Sequence, residues 1–590
     1  MKKIVVFLFL TFTLPTNSQN DYWLGENYYT EGQYEKATQI FKNLYTKNPF
    51  NTNYLSRLIS CYQETNRFSE AETLLKNNLQ KHPSHGYLYV YLGYNYQRQQ
   101  NQDLANYNYD VALNSIEKNP SYGQVIGTLF KEYSLLDQAV LAFEKTMNAN
   151  PYVNYNFNIA QIYGEKGNYK QMFEAYINLV DKSTNYQNLV LRYTSKYITE
   201  DAQNEANILF KKSLLKKSAS NPKDIWNVFL SWLFTQQKEY DKAFMQEKAL
   251  YQRNANNLEA IFRLGKIAFE NKNYTQAKEC FSFVTLNSTS IEEKINAFLY
   301  LTKISIATNN PETDALFQQL LQQFGINNVT IPLQVAYADF LTFSQNKPNQ
   351  AKEVLETAMQ LSSNKYYKAK IKLKLADILV FTENYNTALL YFSQIQTQLK
   401  EHELAQEARF KVAQTSYFKG DFTWAKAQLK VLKGSTTQLI ANDALQLYLV
   451  ITDNEPVDSI PSGLLEYAKA DVLAFQNKTQ QAIDSLSFIV KNFKGQPIED
   501  EAFFKQAELY CKLKDYESAI ENFKKVVTLN PEGILADDAI YKLAELYNNH
   551  VKNYEKASEY YQKIIFEYPT SIYLVEARKK YRLLRGDTLN

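Results

Sequence analysis

This chain of 590 residues has few of the residues that staple, break or chemically arm a protein. Cysteine appears three times, as Cys61, Cys280 and Cys511, an odd number spread over hundreds of residues. No disulfide framework follows, and each reads as a small buried hydrophobe. The four histidines are His82, His85, His402 and His550; only His82-Pro83-Ser84-His85 is a local pair, and no Cys or Asp ligand lies near it. No metal and no cofactor is expected. A Gly-rich phosphate loop, a Gly-x-Ser-x-Gly elbow, a His-Glu-x-x-His and a Cys-x-x-Cys are all missing, so the reading is non-catalytic.

Gly and Pro are scarce, at 16 and 14, and strand-like alternation is hard to find, so nearly the whole chain reads as helix. A net charge of +3 on 22% charged residues gives no global pull toward nucleic acid or anionic lipid. Beyond the N-terminus no apolar run is long enough to span a bilayer. The N-terminus differs: Lys2-Lys3, the apolar run Ile4 to Leu14 and the small residues before Gln19 read as a signal peptide over 1–18. No Cys lies near the cleavage site, so the chain is expected to be periplasmic and not a lipoprotein.

What the sequence does contain is a period. Leu24-Gly25, Tyr28, Gly32, Tyr34, Ala37, Phe41 and Pro49 form one unit. The skeleton returns 34 residues on as Ile59, Tyr62, Phe68, Ala71, Leu75 and Pro83, then as Leu92-Gly93, Tyr96, Ala105, Tyr109 and Ala112. The unit reads as two antiparallel helices. Gly25 and Gly93 mark where the partner backbone comes close, the Gly32 region is the turn, and Pro49 ends the second helix. A lone pair cannot bury its apolar faces, so pairs must stack, each touching its neighbours.

These residues resemble the tetratricopeptide repeat, a helix-turn-helix of 34 residues. The resemblance implies an all-α fold, an α-solenoid, and a protein-binding scaffold. Five regular repeats fill 19–181, and divergent repeats follow over 182–330. Longer repeats with an extra helix occupy 331–452, and a turn-rich linker runs over 453–462. Further repeats span 463–570 and a capping helix 571–590, in which Ile572, Leu574, Val575 and Tyr581 are expected to cover the last pair. Bends of the array are expected near 325–332 and 453–462. Asp458-Ser459-Ile460 fits a short O-glycosylation pattern of bacterial envelope proteins. The stretch Glu501 to Gly586 is similar to periplasmic repeat proteins of outer-membrane barrel assembly and of the Tol-Pal system, which implies an envelope setting.

In tetratricopeptide arrays the first helices of successive units line a binding groove, at positions three before and one after the small residue. The resemblance places Tyr22 and Glu26, Val90 and Tyr94, and Phe157 and Gln161 there, with Tyr29 one turn on and Tyr87 a turn earlier. Relatives that grip a carboxylate terminus use Lys, Asn and Arg at such positions, and that set is absent. An uncharged extended peptide against tyrosine faces fits better. The function expected is an exported scaffold for a partner protein of the cell envelope, monomeric without that partner. The alternative is a peptidoglycan- or glycan-binding protein, since sugars stack on the same rings.

Overall fold

The computed structural model describes residues 17–255, 258–432, 438–455 and 462–587. Residues 1–16 of the signal peptide expected over 1–18, and the Asp458-Ser459-Ile460 tripeptide, lie outside the described residues. Two compact units result, one ending at Asn254 and one beginning at Ala255. All regular structure among the described residues is helical. No helix among them is long and apolar enough to cross a membrane.

The first unit opens with five helical pairs: α1 Asn17–Thr30 with α2 Tyr34–Lys47, α3 Thr52–Glu64 with α4 Phe68–Lys81, and α5 Leu88–Arg98 with α6 Gln102–Lys118. The other two are α7 Gly123–Glu132 with α8 Leu136–Ala149 and α9 Asn156–Glu165 with α10 Tyr169–Lys182. It continues through α11 Gln187–Thr194, α12 Glu205–Ser220, α13 Asp224–Gln236 and α14 Tyr240–Arg253. The second unit begins with α15 Leu258–Glu270, α16 Tyr274–Asn287, α17 Ile291–Ala307, α18 Thr313–Phe324, α19 Ile331–Phe343 and α20 Pro348–Leu361. There follow α21 Lys365–Phe381, α22 Tyr385–Gln398, α23 Glu403–Lys419, α24 Phe422–Leu432, α25 Gln438–Asp453 and α26 Leu464–Phe475. It closes with α27 Thr479–Asn492, α28 Ile498–Leu513, α29 Tyr516–Leu529, α30 Ala536–Leu546, α31 Tyr554–Glu567 and α32 Leu574–Arg585.

The turn inside each pair is one device repeated. A single residue adopts the left-handed conformation: Gly32 (φ +75°), Asn66 (+57°), Gln100 (+62°), Ser134 (+58°) and Gly167 (+69°). The next amide then donates back across the turn, Gln33 to the Tyr28 carbonyl at 2.8 Å, Arg67 to Tyr62 at 2.7 Å and Leu135 to Phe130 at 2.8 Å. These bonds satisfy carbonyls that the ending helix leaves open. Two of the five positions are glycine; the others accept the strain of a Cβ there.

Packing within a pair is a small residue against a ring. Ala37, Ala71, Ala105 and Ala139 are fully buried, as are Phe41 and Phe143. At the glycines it is chiefly this ring that comes close, where the spacing had suggested backbone. A Cβ on Gly25 would stand 2.8 Å from the Phe41 ring, and one on Gly93 2.4 Å from that of Tyr109. At Gly93 a backbone atom also approaches, the Ala105 carbonyl at 3.1 Å. Buried amides then tie pair to pair: Gln63 donates to the Tyr91 carbonyl and Asn95 to that of Phe68, each at 3.0 Å. Cys61 and Cys280 are buried and Cys511 is half-buried, and none of the three is in a disulfide. Burial pushes the Cys61 thiol up to about 12, so it stays protonated.

Contacts in the second unit reach past the adjacent repeat. Gln476 donates to the Phe381 carbonyl at 2.9 Å, Asn477 to that of Phe343 at 2.6 Å, and Phe475 packs edge-on to Phe343 at 5.3 Å. These partners are more than ninety residues apart. The nearest-neighbour picture fails here because the superhelix winds tightly enough to bring α26 back against the ends of α19 and α21. The closing helix also differs from expectation. Ala577 is buried, with Tyr573, Tyr581 and Leu584 packed beside it, whereas Ile572 and Val575 are 84% and 77% exposed. Their positions fall on the outward side of α32 and its lead-in.

Candidate functional site

The face carried by α1, α3, α5, α7 and α9 is the candidate surface. Glu26, on α1, takes two hydrogen bonds from Arg57 on α3, at 2.6 Å and 2.9 Å. The same guanidinium lies over the Tyr29 ring at 5.0 Å. Burial works against the charge of Arg57, and the bonds and charge of Glu26 more than offset it, so the group is held above its ordinary value. Tyr22 packs on Phe41 at 5.9 Å and on Tyr54 at 5.8 Å, half-buried.

Farther along, Arg98 on α5 pairs with Glu64 on α3 at 3.1 Å and lies over the Tyr94 ring at 5.9 Å. Tyr94 stacks face to face on Tyr133, just after α7, with centroids 3.8 Å apart and 8° between planes. Tyr91 meets the same ring edge-on at 6.1 Å. Tyr133 is half-buried, yet burial holds its hydroxyl well above the usual range, with Tyr91, Tyr94 and Tyr29 adding to the effect. On α9, Phe157 meets Tyr193 edge-on at 4.9 Å, and Gln161 is half-buried on the same helix.

Tyr87 stands apart from the other expected residues. It is 8% exposed, packed between His85 at 5.5 Å and Tyr122 at 5.3 Å, and its hydroxyl has no hydrogen-bond partner. Burial pushes that hydroxyl up to about 12. It is a packing residue, because α5 begins only at Leu88 and Tyr87 falls in the joint between two repeats. His82 and His85 stack on each other in that joint at 4.8 Å, and burial, with His82 next, pushes His85 below its ordinary value.

The five helices carry three cations, Arg57, Arg98 and Lys131. Each is taken: Arg57 by Glu26, Arg98 by Glu64, and Lys131 by Glu165 at 2.7 Å. Sequence reasoning missed this ladder and missed Tyr133. Part of it was readable, since Glu64 to Arg98 and Lys131 to Glu165 are both steps of 34 residues, one repeat apart. Opposite charges at one period face each other across adjacent first helices. The face can therefore offer ring surfaces and hydrogen-bonding groups, with no unpaired cation for a terminal carboxylate.

Stacked helical hairpins with such a face define a repeat scaffold. Tetratricopeptide-repeat models match residues 28–89, 153–181, 258–282, 500–532 and 538–571, so the repeats are of that type. No curated protein matches the chain. Among solved structures it is similar to the Naa15/Naa10 complex bound to HypK-THB, with 13% identity, 97% of each chain covered and a TM-score of 0.26. It is also similar to the APC/C hetero-tetramer Cut9–Hcn1, with 14% identity, 96% of each chain and a TM-score of 0.20. A third is yeast Tom70, with 15% identity, 89% of this chain, 94% of that chain and a TM-score of 0.25. At such identities and scores the likeness carries nothing about function.

Proposed function

We propose that this chain is an exported, non-catalytic scaffold of the bacterial cell envelope that holds an uncharged, extended segment of a partner protein along the α1, α3, α5, α7 and α9 face. The observation that carries this reading is the pairing of every cation on those helices, which leaves the rings of Tyr22, Tyr29, Tyr94, Tyr133 and Phe157 as the recognition surface. Aromatic rings give large contact area at little entropic cost. Export rests on the signal peptide read over 1–18. A monomer in the absence of its partner fits a scaffold whose own faces are already stacked.

A photo-crosslinking residue at Tyr94 in living cells, followed by fractionation and mass spectrometry, tests both parts. The expected result is a crosslinked envelope protein in the periplasmic fraction. Changing Tyr22, Tyr29 and Tyr94 together to Ala, with Tyr87 left in place, is expected to abolish capture while the helical signal persists. Unchanged capture by that variant overturns the site, and a cytoplasmic chain overturns the setting. Retention on cell-wall glycan with no protein captured favours the sugar-binding alternative.

A further inference from the structure

A second surface lies in the second unit, where α23, α25, α26 and α28 meet. Two cavities of about 400 and 280 Å³ adjoin there and share Gln414, Leu447, Asp471, Lys505 and Glu508, forming one trough whose larger part is also lined by Lys512. The smaller is lined by four carboxylates, Asp443, Asp471, Glu501 and Glu508, against a single cation, Lys505. That cation is already engaged by Asp471 at 2.8 Å. Asp471 also accepts a hydrogen bond from the Tyr417 hydroxyl at 2.9 Å. The Glu501 carboxylate has neither a hydrogen bond nor an ion pair among the described residues.

An independent observation points the same way. Tyr467 is 5% exposed and lines the smaller cavity; its hydroxyl makes no hydrogen bond among the described residues and is not one of the polar atoms sealed from water, so what little of it is exposed opens to the cavity. A hydroxyl open to a cavity and unbonded within the protein is a position where a ligand can take the place of water. Leu447 and Phe504 supply apolar walls beside it. Among the described residues no three His, Cys, Asp or Glu converge closely enough to hold a metal ion. A spread of carboxylates with a phenol oxygen and apolar walls matches a cation on a hydrocarbon stem.

We propose that this trough binds the ammonium group of a lysine side chain from an extended segment of a partner protein, with Glu501, Glu508 and the Tyr467 oxygen as its acceptors. The stem would lie against Leu447 and Phe504, and the three ammonium donors would meet acceptors on α26 and α28. The inference rests on the second unit alone and does not depend on the tyrosine face.

The state of Glu501 supplies a signature. Burial, then the charges of Asp500, Asp471 and Asp453, push its carboxyl up to about 8, and Lys505 pulls the other way. Glu508 and Asp443 are the remaining charged groups lining the same cavity. In the free protein at neutral pH Glu501 is largely protonated. An arriving ammonium must displace that proton, so affinity should rise as pH climbs through about 8.

The test uses the full-length mature chain and a labelled Gly-Ser peptide carrying a central lysine, read by fluorescence anisotropy. Controls are the same peptide with norleucine for lysine, and spermidine as a free amine. The lysine peptide is expected to bind, the norleucine peptide to fail, and affinity to rise with pH. Above about pH 8, Glu501→Gln should weaken binding roughly tenfold and flatten the pH dependence. Tyr467→Phe, which keeps the ring packing, should weaken it by a smaller factor, with the circular dichroism of both variants unchanged. The Tyr22, Tyr29, Tyr94 triple variant should bind the lysine peptide as the parent does. Equal binding of lysine and norleucine peptides, unaltered binding by both trough variants, or binding of spermidine without the peptide would each overturn the proposal.

Discussion

Replacing Gly93 by Ala tests the packing that builds the candidate face. On an isolated helix the change would stabilise by about 1 kcal/mol, because Gly is the poorer helix former. Here the new Cβ would stand 2.4 and 2.5 Å from two Tyr109 ring atoms and 3.1 Å from the Ala105 carbonyl oxygen. Carbon contacts are optimal at roughly 3.5–4.0 Å, so the overlap exceeds about 1 Å. The ring has nowhere to go. Tyr109 is 2% exposed, its hydroxyl donates to Gln97 Oε1 at 2.7 Å, and it meets Phe130 edge-on at 5.4 Å. Overpacking of this kind costs up to about 3 kcal/mol, and the net expectation is a loss of about 2 kcal/mol. Urea unfolding followed by far-UV circular dichroism measures it. A Tyr109→Val background, which removes the obstructing ring, should erase most of the penalty. Gly32→Ala is the control: nothing lies within 4 Å of its added Cβ, and its cost of about 1–2 kcal/mol comes from φ +75° alone. That cost should not depend on Tyr109. A Gly93→Ala protein as stable as the parent, or one whose penalty survives Tyr109→Val, refutes the ring-contact argument.

Ser134→Gly should stabilise the first unit by roughly 0.5–1 kcal/mol in the same urea assay, since Ser134 holds φ +58° where glycine is unstrained. A destabilised variant would contradict this. Arg57→Met and Glu26→Gln, singly and together, form a cycle whose coupling should be about 1 kcal/mol, because the bidentate pair remains partly open to water; zero coupling would mean that the ladder is ornamental to stability. The carboxyl of Glu501 has its pKa raised on folding, so the stability it contributes is fully present below its unfolded value and is lost as pH rises through about 8. With a discount for partial access to water, the decline between about pH 4.5 and 8 is expected at roughly 0.7 kcal/mol per pH unit. Hydrogen exchange of the α28 amides across that range reads it, and Glu501→Gln should flatten the slope; an identical slope in the variant would assign the effect elsewhere.

The five regular pairs were readable because their determinants are local. Small residues, rings and turn positions recur at one period, and neither the hairpins nor their stacking needs distant information. The turn at Gln100 and Ser134 was less visible, because the left-handed backbone there is imposed by the hairpin on residues that do not advertise it. The candidate face was half legible. Tyr22, Glu26, Tyr29, Tyr94, Phe157 and Gln161 are at least partly open to water on the first helices, while Tyr87, one residue before its helix begins, is swallowed by the joint.

From its amino acids alone this chain is committed to paired helices, since 34-residue spacing of Ala, Gly and aromatic residues satisfies burial only as a stacked hairpin array. The superhelix decided the rest. Small rotations between successive pairs add up over several repeats, and the sum sets Phe475 against Phe343 and lines one cavity with Tyr467 and four carboxylates. No single repeat encodes those meetings, because each depends on an angle accumulated over the repeats between.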